Sequence, residues 1–282
     1  NQGYAVGYLS AQCIKENKAL RKIDIRKIQK HLVWIGNLPE RVLTDKEFKG
    51  FSNSDMQKAA QSVSDNYKGL EVLFSDPERC RKLIDKQFSQ TSQSDEKAIL
   101  ASILCMLGDK KAAPALEEAI RQYKNWDQGW HYTGMHQFGM SLSHLDALIT
   151  ALGKTGEASA LPTLLNKAGQ LTPEDCFSHF RAIAMATESI GNRDAVPVLA
   201  KMLTTPGVRF HAIQSYKEAQ SSVVPGDIDT STRNRALKEL HLARALYLCG
   251  DENDIGKTIL EQYANGLQGH YARYAYEVLN SK

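Results

Sequence analysis

Trp126, Trp130, His131, Tyr132 and His136 crowd into one stretch, KNWDQGWHYTGMHQFGMSLSH, together with Phe138 and three glycines. Aromatic and imidazole side chains held on a connecting segment are placed to contact something beyond their own helices, such as a substrate or a partner surface. Packing over helix ends is the alternative. The imidazoles do not amount to a zinc centre, because no carboxylate or thiol completes a recognisable set and structural zinc takes four ligands. A second group opens the chain, in GYAVGYLSA, where Gly3, Ala5 and Gly7 alternate with larger residues. On a helix Gly3 and Gly7 lie one above the other and leave a groove for a flat ligand or another backbone, while the free amides of the first turn favour an acceptor or anion. A close helix-to-helix contact explains the same pattern. A third group is polar: His144, Arg181, Glu188, His241, Arg244 and Arg273 sit among apolar residues. They form either a row for an anionic ligand or a ladder of hydrogen bonds between stacked helices. The text holds no Gly-x-Ser-x-Gly elbow, no Cys/His pair with a family signature and no phosphate loop.

These residues have to be positioned by helices. A phrase recurs four times: LGDKKAAPALEEAI from Leu107, LGKTGEASALPTLL from Leu152, IGNRDAVPVLAKML from Ile190 and a weaker CGDENDIGKTILEQY from Cys249. Each joins a glycine to a short polar turn and a helix start, with Pro114, Pro162 and Pro197 in the first turn, where a missing N–H costs nothing. The glycines Gly108, Gly153, Gly191 and Gly250 suit the left-handed residue that closes a preceding helix. After the joints, Leu161, Leu164, Leu165 and Ala168, and again Val196, Leu199, Ala200 and Leu203, make single apolar stripes. Before them, KAILASILCML, SLSHLDALITAL, HFRAIAMATESI and ALKELHLARALYL are apolar on more than one side and require neighbours on both. No segment reads as a strand. The expected class is all-α: an α-solenoid of about four to five helix pairs preceded by a helical segment, each pair burying its face on the next. The stretch 204–232 lengthens the third interval as an insertion, and its Pro-Gly-containing end reads as a mobile loop.

Composition narrows the partners. Thirty-five basic against 32 acidic side chains give a net charge of only +3, far from the basic stripe of a protein that lives on phosphate backbones, so nucleic acid is not expected. No apolar run approaches the roughly 20 residues of a membrane span. The chain is therefore expected to be soluble, and its compartment, periplasmic or cytoplasmic, is left open. Cys13, Cys80, Cys105, Cys176 and Cys249 are dispersed, and four of them sit in apolar surroundings as buried structural thiols do. The chain divides into 1–35, a helical connector at 36–94 containing an Asp76-capped helix, and the repeats at 95–282. The Ser/Gln-rich SQTSQSDEK is the linker between the last two.

Two resemblances follow from these motifs. The joint phrases resemble HEAT-like repeats of the phycocyanobilin-lyase type over about 95–282, which implies the solenoid fold and says little of function. NQGYAVGYLSAQCIKENKALRKIDIRKIQKHL resembles the end of the flavin-binding domain in a family of bacterial FAD-dependent oxidoreductases. There a Gly-x-Ala-x-Gly-x-x-x-Ala helix comes last, followed by a D[IV]-x-x-[IL]-Q-x-x-L segment; Gly3, Ala5, Gly7 and Ala11 match the first, and Asp24, Ile25, Ile28, Gln29 and Leu32 the second. The resemblance implies that a flavin domain precedes Asn1, that Gly3, Ala5 and Gly7 face its FAD, and that 36–282 is a helical extension serving as its partner surface or wall. It implies FAD in the parent protein, and neither FAD nor turnover in this chain alone, which lacks the Gly-x-Gly-x-x-Gly loop that grips pyrophosphate. Trp126, Trp130, His131, Tyr132 and His136 are then contacts to the flavin domain or to a protein or small-molecule substrate. The rival reading is a self-standing interaction scaffold. A third, a HEAT-like DNA glycosylase, conflicts with the charge.

Overall fold

A computed structural model describes residues 2–45, 50–131, 143–222 and 230–281. Every regular element among the described residues is helical, sixteen α-helices and four 3-10 turns, and none is long and apolar enough to cross a membrane. Close contacts divide the chain into two units, 1–51 and 52–282.

The first unit holds α1 (Gln2–Glu16), α2 (Ile25–Trp34) and α3 (Arg41–Thr44). Asp24 caps α2 by accepting the Arg26 N–H at 3.0 Å, and Arg26 in turn donates to the carbonyls of Val42 and Asp45. His31 stacks on Tyr8 with ring centres 3.8 Å apart and shares a 2.9 Å hydrogen bond with the Tyr4 hydroxyl. Ile28 and Leu32 of α2 are buried, whereas α1 buries no residue at all.

The second unit begins with α4 (Asn53–Ser62), closed by a reciprocal Ser52–Asp55 capping box. There follow α5 (Leu70–Phe74), α6 (Pro77–Gln90), α7 (Ser94–Met106), α8 (Ala113–Gln122), α9 (His144–Lys154), α10 (Leu161–Ala168), α11 (Phe177–Ile190) and α12 (Val196–Thr204). The rest are α13 (Tyr216–Ser221), α14 (Ser231–Cys249), α15 (Ile255–Ala264) and α16 (Gly269–Asn280). Helices α7, α9, α11 and α14 pack each on the next, α8 and α10 lie against them, and α15 sits between α14 and α16. The doubly apolar segments are accordingly sandwiched: α11 buries Phe177, Phe180, Ile183 and Ala186, and α7 buries Leu100, Ile103 and Leu104. Asp76 caps α6 through the Arg79 N–H with Pro77 behind it, and α6 packs on α7 across the 91–93 joint.

The joint prolines fall in the first turns of α8, α10 and α12, and Gly108, Gly191 and Gly250 adopt positive φ after the helices they close. Gly153 differs. It lies inside α9, and the left-handed residue of that joint is Gly156, at φ 68°. Gly153 is glycine because α11 comes too close: a Cβ there would stand 2.3 Å from the Ala186 Cα. The described part of the insertion is anchored. Both oxygens of Glu239, a fully buried carboxylate on α14, accept backbone N–H groups, Oε1 from Phe210 at 2.9 Å and Oε2 from His211 at 2.8 Å. Downstream, the Leu267 N–H donates to the Ile213 carbonyl at 2.8 Å.

Candidate functional site

The segment 123–131 is stapled to the beginnings of two helices. Asp127 accepts the His144 and Leu145 N–H groups at 2.8 and 3.2 Å and the Ser143 hydroxyl at 2.5 Å, placing a carboxylate against the free amides of α9. Three residues on, the Trp130 N–H donates to Ser178 Oγ at 3.1 Å and its carbonyl accepts the Ser178 N–H at 3.2 Å, at the start of α11. Between them Gly129 lies so close to α11 that a Cβ would meet His179 Cε1 at 2.5 Å and the Cys176 Cβ at 2.6 Å. Only glycine allows this passage.

The stapling brings three of the aromatic residues to α11. Trp126 covers His179 with ring centres 4.5 Å apart. Trp130 meets Phe177 edge-on at 5.5 Å, and His131 Nδ1 accepts the Phe177 N–H at 3.4 Å. Burial and the nearby Lys238 ammonium lower the His131 pKa, favouring the neutral ring that this acceptor role needs. Tyr132 and His136 lie outside the described residues. In the first unit Gly3, Ala5 and Gly7 share α1, and a Cβ on either glycine would meet nothing within 4 Å.

Beneath Trp126 runs the seam between α9 and α11. His179 Nδ1–H donates to Asp146 Oδ1 at 2.8 Å, and two turns further along the same seam Gly153 meets Ala186. His179 is 2 % exposed and Asp146 9 %, so the pair is buried, yet Asp146 Oδ2 has no hydrogen-bond partner. Asp146 is one of the residues lining a cavity of about 490 Å³ between α5, α7, α9 and α11, while its Oδ2 is itself shielded from solvent. Leu70, Phe74, Ile103, Met106, Ala151 and Met185 give it apolar walls; Ser143, Asp146, Ser178 and Arg181 supply its polar groups, and Trp130 stands at its side. That composition, mostly apolar with a few convergent polar groups, is that of a ligand pocket.

Acid, imidazole and hydroxyl or thiol are thus neighbours, but the geometry is poor for nucleophilic catalysis. The Nε2 edge of His179 faces Gly129 with no room for even a methyl group. Ser178 Oγ is engaged by the Trp130 N–H, and burial raises the Cys176 pKa and keeps its thiol protonated. Among the described residues no three His, Cys, Asp or Glu side chains converge as metal ligands. The thiols divide further than their surroundings suggest: Cys80, Cys105 and Cys249 are buried, Cys13 and Cys176 half-buried, and none of the five forms a disulfide.

The polar row is split. Arg244 donates to Glu188 at 2.6 Å and to the Tyr274 hydroxyl at 2.9 Å, tying α11, α14 and α16 together as a ladder would. His144 shares a 2.7 Å hydrogen bond with the Tyr123 hydroxyl. Arg181 is exposed and makes no hydrogen bond or ion pair among the described residues. His241 lies between Phe177 and Tyr274. Burial, reinforced by the Arg181 and Arg244 guanidiniums, pulls its pKa from 6.5 down to about 4. Between those values the unfolded chain binds more protons than the folded one, so stability is lost as pH falls through this window. Wild-type protein should therefore lose more Tm between about pH 7 and about pH 4.5 than His241→Phe does, as thermal melts in matched buffers will read. Equal losses would mean that solvent reaches the imidazole freely.

Asp146 and His179 escaped the reading of sequence, although a signal exists. Asp146 lies on the same stripe as Ile149 and Gly153, and a carboxylate on a buried stripe has to be paired. No protein-family model, curated protein or solved structure matches the chain.

Proposed function

We propose that this chain is the C-terminal helical-repeat portion of an FAD-dependent oxidoreductase, in which α1 and α2 edge the flavin domain and the second unit serves as its wall or partner surface. The observation that carries the reading is α1 itself, a helix of 15 residues with nothing buried, exposing Val6 at 64 % and Ile14 at 83 %. Trp34, at the end of α2, is 80 % exposed. Apolar surface left open in this way marks a contact face. The open glycines Gly3 and Gly7 fit a flat ring system laid against the helix, and FAD when bound would supply hydride and electron transfer. The order α7, α9, α11, α14, each against the next with α8 and α10 alongside, supports a HEAT-like solenoid as the form of the extension.

The natural gene product that contains this chain should purify with FAD that is released on denaturation, and the 282-residue chain alone should retain none. A gene product free of flavin, with no nucleotide-binding domain, would overturn the proposal. A second reading, the self-standing interaction scaffold, is favoured by the pocket beside Trp130 and Arg181, which needs no flavin domain. Capture of one defined partner by the chain, abolished by Arg181→Glu, would support it.

A further inference from the structure

We propose that the cavity between α5, α7, α9 and α11 binds a small amphipathic carboxylate: its apolar body against Phe74, Ile103 and Met185, and its carboxylate on Arg181. The inference rests on the second unit presenting a binding surface and not on the flavin domain.

Two independent features converge. The cavity, about 490 Å³, lies within the range of roughly 300–1,000 Å³ typical of small-molecule sites, and its walls are mainly apolar. Arg181, one turn beyond the Ser178 contact with Trp130, brings an uncompensated guanidinium to the same cavity, although Arg244 of the neighbouring helix is paired with Glu188. An anion is the complement of that guanidinium, and a carboxylate matches its planar fork. An acylated aromatic amino acid carries an apolar body and a carboxylate in one molecule.

The test is calorimetric titration of the full chain with N-acetyl-L-phenylalanine and N-acetyl-L-tryptophan, each against its neutral amide. The acids should bind at least about tenfold more tightly than the amides, the contribution expected of one charge-assisted contact. Arg181→Gln, a surface change that leaves the thermal melt in place, should erase that preference. Ala147→Phe, which fills the cavity from its half-buried rim, should abolish binding of acid and amide alike. Absence of heat from both acids at millimolar concentration, or an acid-to-amide ratio unchanged in Arg181→Gln, would overturn the assignment. Neither result depends on whether the gene product carries flavin: a flavin-free gene product leaves this site standing, and an empty cavity leaves the flavin reading standing.

Discussion

Alanine at position 153 should destabilise the chain by about 2 kcal/mol or more, although glycine to alanine inside a helix normally gains about 1 kcal/mol. The reason is the seam between α9 and α11. An added Cβ would lie 2.3 Å from the Ala186 Cα, 2.6 Å from its Cβ and 2.9 Å from its carbonyl oxygen. Two of these atoms are backbone, so no rotamer change relieves the clash and the helices must separate. Separation would also stretch the 2.8 Å Asp146–His179 hydrogen bond two turns away. For a unit of this size the loss corresponds to a fall in Tm of about 4–8 °C in a differential scan. Gly7→Ala, where a Cβ meets nothing, is the control and should leave the melt unchanged or raise it. Gly153→Ala melting with the wild type would refute the close seam.

Glu239→Gln should cost about 2–4 kcal/mol, although it changes one atom. Oε1 accepts the Phe210 N–H, and Oε2 accepts both the His211 N–H and the Tyr263 hydroxyl at 2.9 Å. A glutamine amide has one acceptor oxygen, so whichever way it flips its NH₂ faces a donor inside the protein. The segment it holds has reason to leave, because Phe210 is 78 % exposed and sits at φ 73°, a conformation disfavoured for a bulky residue. Hydrogen exchange should show the amides of Phe210 and His211 losing protection together while those of α9 keep theirs. Retained protection at both amides would show that other contacts pin the segment.

The helices themselves were legible because their signals are local. Prolines in first turns, Asp76 before Pro77, and apolar stripes after the joints each act over a few residues, and α6, α8, α10 and α12 form where those signals fall. Gly153 shows where local reading stops. Its place in a repeated phrase suggests a helix terminus, but the constraint comes from Ala186, a residue of another helix. The candidate site is legible to the same degree. Trp126, Trp130 and His131 do gather at α11, yet what organises them is Asp127 bound to the first amides of α9 and Gly129 against His179, long-range contacts that no periodicity announces. The insertion at 204–232 holds, in its described part, a helix with its own Ser215–Glu218 capping box and is anchored by buried Glu239, which looks in sequence like one more surface charge of α14; its Pro-Gly-containing end, read as a mobile loop, lies outside the described residues.

We propose that α1 offers its glycine face to a flavin held by other residues. The most direct measurement is the flavin content of the natural gene product with Gly7→Val, compared with wild type. In the 282-residue chain this substitution enters open space, and its melt should stay within about 0.5 kcal/mol of wild type. In the gene product the branched side chain would occupy the ring's place, so the account predicts an intact fold with most of the FAD lost. Full flavin occupancy in Gly7→Val, or a wild-type gene product that never binds flavin, would contradict it.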